Sequence, residues 1–203
     1  MKKVLLFALV FVVFVCNAQT KKISVIAYYA GNAKSIDAYP VEKLTHIIFS
    51  FCHLKGNQLH VDNMNDSLTI NHLVELKNRN PWLKIILSIG GWGGCAPCSE
   101  VFSTMEARKE FASSVKHVSE YFKTDGIDID WEYPAIEGYP DHQYLSADKQ
   151  NFTALIKTLR DTLKNNYEIS FAAGGFEKGL HESVEWNKIA PLVYKAKLMS
   201  YDL

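Results

Sequence analysis

Between Asp125 and Pro134 the chain reads Asp-Gly-Ile-Asp-Ile-Asp-Trp-Glu-Tyr-Pro, so Asp128, Asp130 and Glu132 recur at every second position. Side chains alternate sides along an extended strand, which puts these three carboxyls on one face and Ile127, Ile129 and Trp131 on the other. An acid row on a buried strand is costly unless it does chemistry. Carboxyls two residues apart sit roughly 6–7 Å apart along a strand, so Asp128 and Asp130 can lean together around one proton, with Glu132 further out. Like charges in a low-dielectric pocket push one carboxyl toward its neutral form. Glu132 is then suited to carry a proton at working pH, as a general acid must.

Positioning such a row takes a sheet. Short runs rich in Val, Ile, Phe and Tyr predict strands at Ile23–Ala30, His46–Leu54, Lys84–Gly91, Gly126–Pro134, Glu168–Gly174 and Ala196–Leu203. Apolar residues at three- and four-residue steps predict helices at Ser67–Lys77, Ser103–Phe122 and Gln150–Lys164, the second opened by a Ser103-Thr104-Met105-Glu106 capping box. Strands alternating with helical crossovers imply a parallel sheet, either doubly wound or closed as a barrel. No Gly-x-Gly-x-x-Gly follows the first strand, which weakens a dinucleotide fold. Distinctive residues instead gather at the C-terminal ends of three strands: Ser88-Ile89-Gly90-Gly91-Trp92, the acid row, and Met199-Ser200-Tyr201-Asp202-Leu203. A barrel builds its active site there. The expected fold is α/β, a (β/α)8 TIM-type barrel truncated after the sixth strand, since a barrel typically takes ~250 residues. Residues 19–203 are accordingly expected to be the N-terminal portion of a longer protein.

Composition narrows the partners. The 203 residues are 48% hydrophobic, with Lys+Arg and Asp+Glu both at 22, so no basic excess draws nucleic acid or anionic lipid. A basic Met1-Lys2-Lys3, an apolar run from Val4 to Val15 and the small Ala18 form a secretory signal peptide over 1–18. Its removal takes away two lysines and leaves 20 cations against 22 anions. Export, with no membrane attachment once the signal is gone, permits disulfides, and Cys95-Ala96-Pro97-Cys98 in a Gly-rich loop is read as a local staple. Cys52 is read as a small core residue.

A glycosidase usually opposes two carboxylates across the sugar, and three acids on one strand do not supply that pair. The nucleophile must be found elsewhere, or on the substrate. At this point the chain resembles a known family. Asp125-Gly126-Ile127-Asp128-Ile129-Asp130-Trp131-Glu132 is similar to the D-G-x-D-x-D-x-E signature of family 18 glycoside hydrolases, the chitinases. Ser88-Ile89-Gly90-Gly91 resembles that family's S-x-G-G, and Met199-Ser200-Tyr201-Asp202 its M-x-Y-D. The resemblance implies an enzyme acting on chitin or N-acetylglucosamine oligosaccharides, with retention and without metal or organic cofactor; the exported protein is expected to be monomeric. It implies that Glu132 protonates the glycosidic oxygen while the sugar's own acetamido carbonyl attacks the anomeric carbon. Asp130 would orient the acetamido N–H, Asp128 would hold Asp130 and share its proton, and Tyr201 would bond the acetamido oxygen. Asp202 would contact sugar nearby. A tethered carbonyl brings high effective molarity, which removes the need for a second carboxylate.

Other residues have simpler readings. Asp125 is expected to be a structural hydrogen-bond partner. A calcium loop does not fit, since Ile127 and Ile129 interrupt any ligand series. Ser88, Gly90 and Gly91 are read as allowing close backbone approach. Trp92 either stacks on sugar or packs its loop, and Trp131 is expected in the core. Tyr28, Phe51 and Met199 are further candidates for the floor of the site. His46, His60 and His181 form no ligand spacing, and the sequons at Asn65 and Asn151 decide nothing. Two other functions share the barrel: an endo-β-N-acetylglucosaminidase acting on N-glycans, and a lectin-like chitin binder that has lost catalysis. Glu132 argues against the latter.

Overall fold

The computed structural model describes residues 23–201. The segment 1–18 read as a signal peptide, together with Asp202 and Leu203, lies outside them. Six parallel strands run in the order β1 (Ile26–Tyr29), β2 (His46–Lys55), β4 (Lys84–Gly90), β5 (Gly126–Asp130), β6 (Glu168–Gly174) and β7 (Lys195–Met199). A short β3 (Gln58–His60) returns antiparallel on the end of β2. Each expected strand is present. The differences are at the ends: the last strand stops at Met199, and β5 stops at Asp130, so Glu132 lies in the bend just beyond.

The sheet is curled. Neighbouring strands are ~4.8 Å apart, so strands three places apart in a flat sheet would be separated by about 14 Å. Yet the Tyr28 phenol on β1 reaches Asp128 on β5 at 2.8 Å. Similarly His46 on β2 meets Glu168 on β6 at 3.0 Å, at the opposite end of the strands. This is the incomplete barrel expected from the sequence, with six parallel strands wrapped around a common interior.

Period-two patterning sorts the strand residues between that interior and the helix layer. Ile85, Leu87 and Ile89 of β4, Ile127 and Ile129 of β5, and Ile169 and Phe171 of β6 all join the core under the helices. The principal helices are α1 (Met64–Glu75), α3 (Met105–Phe122) and α4 (Asp148–Leu163), with shorter turns at α2 (Cys98–Val101), α5 (Glu177–Glu182) and α6 (Trp186–Ile189). The buried stripes are Phe111, Val115 and Phe122 on α3 and Phe152, Leu155, Leu159 and Leu163 on α4. The cap of α3 differs by one residue from the expected box. Thr104 accepts from the Ala107 N–H, and its extended backbone makes it the N-cap in place of Ser103.

Trp131 is buried as expected, tilted against Phe102 at 5.8 Å and edge-on to Phe152 at 6.2 Å between ring centroids. Asp125 is structural as expected: it accepts from the Ile85 N–H and pairs with Lys77 and Lys84, tying the start of β5 to β4. Cys95 and Cys98 are joined by a disulfide, and Cys52 is a free, buried thiol.

Gly90, at the end of β4, has φ +105°, and a Cβ there would overlap the Asp130 carbonyl. The next N–H, that of Gly91, donates to that carbonyl at 2.9 Å. Gly90→Ala should therefore destabilise the intact protein by about 2–4 kcal/mol through strained backbone and overlap. Denaturant unfolding measures this, and a loss below about 0.5 kcal/mol would contradict the tight β4–β5 approach.

Candidate active site

A cleft of about 840 Å³ opens at the C-terminal ends of the strands. Asp130, Glu132, Tyr28, Phe51, Trp92, Met199 and Tyr201 all line it, so the structure brings together every described candidate except Asp128, which lies beneath. Phe51 arrives through an irregularity. The β2–β4 register shifts between Phe49 and Cys52, so Ser50 and Phe51 both turn to the cleft while Cys52 rejoins the helix-side core. Trp92 is 59% exposed with its ring edge-on to Tyr139, and Tyr201 is 66% exposed.

Asp128 is fully buried, and four donors converge on it. Ser88, Asp128 and Ser170 occupy matching positions on β4, β5 and β6, which sets the two serines on either side. Ser170 Oγ donates to Asp128 Oδ1 at 2.6 Å, and Ser88 Oγ to Oδ2 at 3.2 Å. Tyr28 also donates to Oδ2, and the Lys197 ammonium to Oδ1. These donors fill the acceptor sites that a carboxylate offers. The sequence reading paired Asp128 with Asp130 around one proton, but the donors found at Asp128 come from β1, β4, β6 and β7.

Asp130 is 6% exposed, and among the described residues its Oδ1 has no hydrogen-bond partner. Burial, then the charges of Glu132 and Asp128, push its carboxyl up to about 7 against an opposing pull from Lys197. Burial and the two aspartates also push the Tyr28 phenol upward, so it remains a neutral donor. Tyr133 is raised by burial and by its contact with Glu132, while its ring packs edge-on against Phe176 at 5.3 Å. Gly138 completes the approach to Glu132, since a Cβ at that position would overlap the Glu132 carbonyl oxygen.

Sequence reasoning missed Lys197, Ser170 and Tyr133. Parity could have found the first two. Lys197 shares an inward-facing position class with Met199 on β7, and Ser170 sits level with Asp128. Tyr133 is adjacent to the acid row but was read only as motif. Among the described residues no helix is long and apolar enough to cross a membrane.

The curled parallel sheet carries an acid-lined cleft at the C-terminal ends of its strands, as a closed barrel does. The sequence model described as glycosyl hydrolases family 18 matches residues 24–203, and the chain belongs to that family. Chitotriosidase-1 of Mus musculus is 34% identical over 167 residues, covering 78% of this chain and 35% of the relative. Chitinase A1 of Niallia circulans is 35% identical over 140 residues, covering 66% and 20%. The chitinase domain of the spore coat protein CotE from Clostridium difficile superposes with a TM-score of 0.81 at 31% identity, covering 94% of this chain and 53% of that one. The chain thus spans between a fifth and about half of these proteins.

The raised Asp130 carboxyl has a consequence for stability. Its pKa moves from an ordinary 3.8 to about 7, so the folded state binds this proton more tightly than the unfolded chain does. Stability then falls as pH rises between those values. Asp130→Asn should relieve that loss: unfolding of the intact protein at pH 8 compared with pH 4 should favour the variant by on the order of 2–4 kcal/mol. Parallel pH dependence of the two proteins would contradict the raised carboxyl.

Proposed function

We propose that this chain forms part of a secreted, retaining glycosidase that cleaves β-1,4 linkages between N-acetylglucosamine units of chitin, with the substrate's acetamido group as nucleophile. One observation carries the reading: Asp130, which lines the cleft with Glu132, has a buried Oδ1 that no hydrogen bond meets among the described residues. An unmet acceptor in a low-dielectric site strongly favours a ligand that brings an N–H. The acetamido N–H of a bound sugar supplies one.

In this mechanism Glu132 gives its proton to the glycosidic oxygen as the bond to the anomeric carbon breaks. The acetamido carbonyl oxygen bonds to that carbon, giving an oxazolinium ion. Asp130 accepts the amide N–H, aims the carbonyl and balances the developing positive charge. Tyr201, at the mouth, bonds the acetamido oxygen, and Asp202 contacts sugar beyond it. Water, deprotonated by Glu132, then opens the ring with net retention. Trp92 and Phe51 offer apolar faces to the sugar. Membership of the family and the likeness to two chitinases and a chitotriosidase support the choice of substrate.

Glu132→Gln in the intact protein should lower kcat on chitin oligomers by about 10²–10⁴-fold, the usual contribution of a general acid, while oligomer binding stays within a few fold. Parallel assays on N-glycoproteins test the substrate. A variant that retains more than a tenth of the rate would remove Glu132 from this role. Cleavage of N-glycans but not chitin would replace the substrate and leave the chemistry.

A further inference from the structure

We infer that Lys197 is a positioning residue for this reaction: its ammonium clamps Asp128 in place, so that the one exchangeable proton of the acid row is left to Asp130 and Glu132. The inference rests on the functional reading above and adds a residue to it.

The geometry is specific. Lys197 faces the barrel interior from β7, where its Nζ donates both to Asp128 Oδ1 and, at 2.8 Å, to Ser170 Oγ. Ser170 Oγ itself donates to the same Asp128 oxygen, which closes a triangle of cation, hydroxyl and carboxylate. The lysine side chain is 17% exposed and the aspartate 0%, so this pair is only weakly screened. Nζ also stands 5.8 Å from the centre of the Tyr28 ring, the other wall of the Asp128 pocket.

Charge counting gives the reason for a cation here. Three carboxyls lie in succession on and just beyond β5. Facing Asp128 are Tyr28 from β1, Lys197 from β7 and Asp130 on its own strand, while β4 and β6 contribute only Ser88 and Ser170. Facing Asp130 are Glu132, Asp128 and Lys197, with the neutral phenols of Tyr28 and Tyr133. With Lys197 neutralising Asp128, the other two carboxyls need share only one proton to hold the row at a single net negative charge. A general acid with an adjacent carboxylate needs that arrangement. Without the ammonium, Asp128 would compete for the proton, and the row would behave as the bare sequence suggested.

The test uses the intact protein with Lys197→Gln, which keeps a donor but loses the charge, Lys197→Met, which loses both, and Lys197→Arg, which keeps both. Loss of a nearby cation raises carboxyl pKa values, so both limbs of the kcat/KM–pH profile should move upward by about one pH unit in the Gln and Met variants. At pH 6 kcat should fall by up to about 10-fold with KM nearly unchanged, and Lys197→Arg should restore the wild-type limbs. Limbs that stay in place in Lys197→Gln, or that Lys197→Arg fails to restore, would overturn the inference. Should the Met variant not fold, the Gln and Arg variants decide alone. A second readout needs no substrate: the carbon-13 carboxyl signal of Asp130 should titrate at higher pH in Lys197→Gln than in wild type. An unchanged midpoint overturns the positioning role. Failure of wild-type protein to cleave chitin would instead sink the functional reading and leave this titration to stand or fall separately.

Discussion

One buried carboxylate, Asp128, ties the curled sheet together from the inside. Its donors come from β1, β4, β6 and β7, so five of the six parallel strands meet at two oxygen atoms. A buried charge is tolerable only when its lone pairs are met, and here all the partners are fixed by strand register or by the curl itself. The same arrangement fixes the chemistry next door. With Asp128 occupied beneath it, Asp130 lines the cleft and keeps one oxygen unmet among the described residues.

Around that centre, the packing behind the strand and the backbone beside it perform different tasks. Trp131 drives into the aromatic layer of Phe102 and Phe152, so the residues on either side of it, Asp130 and Glu132, are turned to the cleft. Gly90 and Gly138 let backbone press against the Asp130 and Glu132 carbonyls, where any side chain would intrude. Asp128 and Asp130 are thus held on a strand, with Glu132 in the bend that follows it, which suits groups that must be aimed within fractions of an ångström.

The sequence carried the parallel sheet, the position of each strand, the acid row and the staple between Cys95 and Cys98, because these depend on local periodicity or short spacing. It misplaced what depends on tertiary closure. Glu132 was read as part of an extended strand, but β5 ends at Asp130 and the chain bends immediately after it. Asp128 was paired with its sequence neighbour, whereas its partners come from four other strands. Lys197 was overlooked because a lysine near the end of a strand ordinarily reaches solvent. Only the curl of the sheet brings it onto Asp128.

The central claim is that the sugar's amide, aimed by Asp130, does the work of the missing second carboxylate. Aryl glycosides of N-acetylglucosamine carrying zero, one, two or three fluorines on the acetyl group test it directly, since each fluorine weakens the carbonyl as a nucleophile. The account predicts that kcat/KM of the intact protein falls steeply and steadily along the series. Rates indifferent to fluorine would contradict it and return the search to a nucleophile on the protein.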